Sequence, residues 1–171
     1  SHFEFLPVGP AWSRLVQLEH WADAGEIMVS PETASFLPSS CVSETEGRGM
    51  LLRREPAWHT EKLPLVPRPK MPAEMVARCL PVAVRAHVLA GGGASEHRPV
   101  TIAFVHFEGT DGMIESSGPV AAAEALHRLV SAVETATDEH GVTFLASDVD
   151  ADGGKLILTA GAPSTIGDDE E

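Results

Sequence analysis

Three aspartates at alternate positions, Asp148, Asp150 and Asp152, stand just ahead of Gly153-Gly154. Carboxylate oxygens suit hard cations, so the first chemistry to consider is metal binding. The spacing matches the opening ligands and the glycine of a calcium loop. The match then fails: the twelfth position is Thr159 rather than Glu, and apolar strand-like runs flank the loop where helices are needed. That leaves a solvated acidic hairpin tip. A second stretch, Pro99 to Thr110 (PVTIAFVHFEGT), runs from apolar residues into a Gly-Thr turn, with His106 near its end. Read alone it is a core strand and an ordinary turn. The histidines His2, His20, His59, His87, His97, His106, His127 and His140 form no close cluster and no HExxH pair. Trp12, Trp21 and Trp58 read as packing residues.

The surrounding pattern predicts the elements that hold these residues. Phe5–Val8 reads as a short strand, and 11–23 as a helix with Leu15, Leu18 and Ala22 on one face, stopped at Gly25. Residues 26–30 form a strand. Ser30-Pro31 then supplies an N-cap and a first-turn proline for a short helix through Leu37. Another strand spans 49–53. Five prolines between Pro56 and Pro72 predict an extended linker. Helices are expected over 73–80 and 82–90, split by Pro81 and ended by Gly91-Gly92-Gly93. Residues 99–107, rich in Val, Ile and Phe, predict a central strand covered on both faces. A helix over 119–140 follows, closed by Gly141, and then paired strands at 142–146 and 156–159.

Hydrophobic residues make up 43% of the 171, enough for a packed core rather than a disordered chain. A net charge of −13 argues against nucleic acid and anionic membranes, which call for clustered Lys and Arg. Two cysteines, Cys41 and Cys79, do not make a disulfide framework and read as buried thiols. With no long apolar run and no signal peptide, a cytoplasmic protein is the default. The chain opens without Met and closes on an acidic run resembling a helix start, so a piece of something longer is expected.

Taken together, Ala103-Phe-Val-His-Phe-Glu-Gly-Thr110, Gly25-Glu-Ile-Met-Val-Ser30 and Leu156-Ile-Leu-Thr-Ala-Gly-Ala-Pro163 resemble pieces of class III adenylate/guanylate cyclase domains. In that family a strand, an aspartate, a Gly-containing turn and a helix form one half of a shared site. The resemblance places nucleotide phosphates on the turn Phe107, Glu108, Gly109 and Thr110. It puts His106 where the family has its first metal aspartate. The second falls at Gly154 counting back without a gap, or at Asp152 with one extra residue. The N-terminal unit would supply the family's Asn and Arg, at positions occupied here by Ser13 and Gln17. The resemblance implies Mg²⁺ or Mn²⁺ as the possible cofactor; imidazole is a poor Mg²⁺ ligand, and Gln17 lacks the charge that steadies a phosphate.

The order of pieces implies residues 1–55 as the end of a first cyclase-like domain, 56–82 as linker and 83–171 as the start of a second. The class is α/β, of ferredoxin-like cyclase pieces, a mixed sheet with helices packed on it. The resemblance implies a degenerate, regulatory or nucleotide-sensing site. Its partner is the other cyclase-like domain, within the chain or in a homodimer, and its ligand a nucleoside triphosphate. Two alternatives stand: an active cyclase with a rebuilt metal site around Asp152, and a structural interaction module of a larger regulator.

Overall fold

The computed structural model describes residues 2–45, 47–57, 69–92 and 97–163. Within them, helix α1 (Pro10–Trp21) leads to strand β1 (Met28–Val29) and helix α2 (Pro31–Ala34). A single 3₁₀ turn, Ser39–Cys41, then precedes strands β2 (Val42–Thr45) and β3 (Gly49–Leu52). Helices α3 (Ala73–Ala77) and α4 (Val82–Leu89) come next. The second half is strand β4 (Thr101–Glu108), the broken helix α5 (Thr110–His140), and strands β5 (Thr143–Asp150) and β6 (Gly153–Ala160). The class is α/β, as expected, and both sheets are antiparallel and three-stranded, ordered β1-β3-β2 and β4-β6-β5.

Local chemistry explains most of these elements. The Ser30 hydroxyl accepts the Thr33 N–H at 3.1 Å, which starts α2 as its N-cap. The two proline-led helices at 73 and 82 form where the sequence predicts them. Helix α5 is two helices in series: Gly118 sits at φ 86°, ψ 164°, and Pro119 restarts the coil. Only glycine adopts that conformation readily, and proline's fixed φ suits a first helical turn. Cys41 is buried as expected, whereas Cys79, expected to be a buried thiol, is exposed. No helix among the described residues is long and apolar enough to cross a membrane.

Several expectations are corrected. Residues 5–8 are not a strand; the segment crosses α5 without regular structure. Strand β2 was not foreseen, because Val42-Ser-Glu-Thr45 carries little apolar signal and is defined by its pairing with β3. In α1 the buried residues are Ser13 and Leu18, while Leu15 is 51% exposed. Strand β4 is not central: β6 is, with Leu156 fully buried between Val105 and Ser147. The apolar residues of β4 are uncovered on one face, Phe104 at 60% and Ile102 at 52% exposure. Most of the proline-rich linker, residues 58–68, lies outside the described residues.

The β4–β6 pairing depends on a missing side chain. A Cβ on Gly153 would overlap the carbonyl oxygen of Phe107, part of the neighbouring backbone. Gly153→Ala should therefore displace the end of β4 and cost about 2 kcal/mol or more, by analogy with other overpacked sites. Urea denaturation of the variant against the parent chain measures this.

Candidate functional site

The best-organised polar constellation lies where the β5–β6 hairpin tip meets the start of α5. Asp152 occupies the tip with φ 60°, a left-handed conformation that Asp tolerates better than most non-glycine residues. That conformation turns three groups of one residue toward four partners. Its carbonyl oxygen accepts the N–H of Gly109 at 2.9 Å and of Thr110 at 3.2 Å. Its carboxylate Oδ1 accepts the N–H of Asp111 at 2.8 Å. Its own N–H donates to the Ser13 hydroxyl at 2.8 Å. Asp152 therefore fills the amide donors at the start of α5, where the helix dipole favours negative charge. It also ties α1 to the second sheet.

Several of the residues singled out in the sequence thus converge. Ser13, Gly109, Thr110 and Asp152 are joined by hydrogen bonds although they come from both halves of the chain. Phe107 lies on the covered side of β4, its ring against Gly154. Glu108 is exposed and opposite Gly153. Gln17 is exposed one turn beyond Ser13. It lines a cavity of about 810 Å³ together with Ser13, Arg14, Ser30, Thr33 and Asp111. No hydrogen bond joins Gln17 to the Asp152 cluster among the described residues.

His106 is not part of the cluster. It is exposed on β4, in register with Lys155, which is in register with Asp148. With strands about 4.8 Å apart, the three form one row close to the hairpin tip. Lys155 Nζ bonds Asp148 Oδ2 at 2.9 Å. That hydrogen bond, with the carboxylate's charge, raises the lysine above its ordinary value. The contribution is present in full below the unfolded lysine's titration and is lost as pH rises through the raised folded value. With side chains 35% and 51% exposed, the pair is a weak one.

Among the described residues no group of three His, Cys, Asp or Glu side chains is placed to hold a metal ion. Of the Asp152 carboxylate, Oδ1 accepts the Asp111 amide. Gly154, the other candidate position, has no side chain and is packed under Phe107.

The functional residue missed in the sequence is Asp111. Its Oδ1 and the Thr110 hydroxyl are buried without a hydrogen-bond partner among the described residues. An acidic residue in the first turn of a predicted helix was the available signal. No family model matches the chain, and no curated protein or solved structure matches it significantly.

Two substitutions separate the roles of Asp152. Asp152→Asn keeps an acceptor for the Asp111 N–H and a residue tolerant of positive φ, so its cost should stay below about 1 kcal/mol. Asp152→Ala loses both and should cost about 2–3 kcal/mol. Ser13→Ala, which leaves the Asp152 N–H unpaired, should cost about 1–3 kcal/mol. Denaturant titrations of the three variants give the order.

Proposed function

We propose that the chain is a segment of a tandem class III cyclase-like signalling protein, and that its composite site is a non-catalytic, regulatory junction. The observation that carries this reading is the occupation of the turn. The amides of Gly109 and Thr110, two of the four turn residues that the resemblance assigns to phosphates, are held by the Asp152 carbonyl, and the next amide, of Asp111, by its carboxylate. The contact from Ser13 to Asp152 supports a head-to-tail pairing, because it joins the two units through the positions that such pairing brings together. The chemistry of the remaining positions agrees. His106 offers an imidazole on the other side of the strand, and Gln17 offers no charge. Each lost electrostatic stabiliser costs on the order of 10²–10³ in rate.

A second reading, a structural interaction module, draws on the uncovered apolar face of β4 around Ile102 and Phe104. An exposed, apolar edge strand is a pairing surface that folded proteins usually cover.

With ATP or GTP and Mg²⁺ or Mn²⁺, the chain should form no cyclic product above background. Turnover abolished by Asp152→Asn would replace this proposal with an active, rebuilt metal site. Millimolar ATP or GTP should also leave the NMR amide signals of Gly109, Thr110 and Asp111 unmoved. Saturable shifts there would instead establish a nucleotide-sensing site.

A further inference from the structure

A second hollow, apart from the Asp152 cluster, lies between the irregular segment His2–Val8 and one stripe of α5. It measures about 520 Å³, within the range of small-molecule sites. Leu126, Val130 and Glu134 follow one another at helical spacing along its wall, and Leu6 and Val8 face them from the segment. The floor is apolar and one end is acidic.

That end has a charge imbalance. His2, with its side chain 3% exposed, bonds Glu4 Oε2 at 3.0 Å through Nε2 and Glu134 Oε1 at 2.8 Å through Nδ1. The backbone N–H of His2 also donates to Glu134 Oε1, at 3.0 Å. The Ser147 hydroxyl donates to Glu4 Oε1. The side chains of Glu4 and Glu134 are themselves 17% and 12% exposed. One imidazole carries at most one positive charge against two carboxylates. No Lys or Arg is among the residues that line the hollow. Glu134 Oε2 receives no hydrogen bond from any described residue, and Ser131 lies one turn away on the same wall. Glu134 Oε2 is not among the buried unpaired oxygens, so it stays open to the hollow, where a cation can reach it and make a charge-assisted hydrogen bond.

We propose that this groove binds a small organic ammonium ion with an apolar body. The ammonium bonds Glu134 Oε2 and the Ser131 hydroxyl, and the hydrocarbon lies along Leu6, Val8, Leu126 and Val130. Binding is non-covalent and separate from the Asp152 cluster, so it does not depend on the cyclase-like reading.

The 171-residue chain is titrated with n-octylammonium chloride and, separately, with octan-1-ol, which has the same body and no charge. Heteronuclear NMR should show saturable shifts centred on Leu126, Val130 and Glu134, with the amine bound at least about tenfold more tightly than the alcohol. Glu134→Gln retains the shape and an acceptor for His2. It should weaken the amine about tenfold or more and leave the alcohol unchanged, as expected for a charge-assisted hydrogen bond. Ala123→Leu, on the exposed rim of the groove, should weaken both ligands. Circular dichroism checks that each variant is folded, and the comparison of amine with alcohol on the parent chain stands without any variant. Equal affinities for the two ligands, unchanged amine binding in Glu134→Gln, or no saturation by the amine each overturns the proposal.

Discussion

A carboxylate and a carbonyl from one residue in a left-handed turn close the start of α5, and the same residue's N–H reaches back to Ser13. Without these hydrogen bonds the hairpin tip, the head of α5 and α1 would each present unpaired polar groups to a partly buried junction. Each such group costs about 1–3 kcal/mol when orphaned, against a total stability of only about 5–15 kcal/mol for a typical domain. The first unit reaches the second through α1, and Ser13 is buried for that reason. A helix of ordinary amphipathic design would bury Leu15 at this seam. Here the seam asks for a hydroxyl, and Leu15 is left outside.

The two sheets have different demands. In the second, β6 is the middle strand and carries the buried Leu156, while β5 shares its covered side with α5 and α1. Strand β4 has the composition of a doubly covered strand and the position of an edge. Its covered side, through Phe107 over Gly154, belongs to the core, and the opposite side shows Ile102 and Phe104 to solvent. Toward the hairpin tip that same side turns polar, with His106, Lys155 and Asp148 in a row.

The parts of the fold that were legible in the sequence are those with strong local chemistry. Ser30-Pro31, Pro72, Pro81 and Gly141 mark helix ends that the structure reproduces, and the apolar runs of β4 and β6 are strands. Strand β2 was hidden because its residues are polar and its partner, not its composition, fixes it. The place of β4 in the sheet was hidden because apolar content reports what a strand could bury, not what covers it. At the site, Gly109, Thr110, Ser13 and Asp152 could be named from the sequence, but their mutual bonding could not. It arises from the positive φ at Asp152, which aspartate composition alone does not announce. The ion pairs of His2 with Glu4 and Glu134 had no local signature at all, since one partner lies 132 residues away.

The break at Gly118 divides α5 into a short piece that ends on the Asp152 turn and a long piece that walls the groove. Proline at 119 lacks an N–H, and the left-handed glycine interrupts the ladder of backbone hydrogen bonds, so the two pieces do not form one cooperative rod. Their amides are expected to open as separate units, each with its own protection against solvent exchange. A disturbance at the turn can fray residues 110–117 while the long piece stays wound. Cooperativity would then be parcelled at a single glycine, into a collar at the turn and a shaft beyond it.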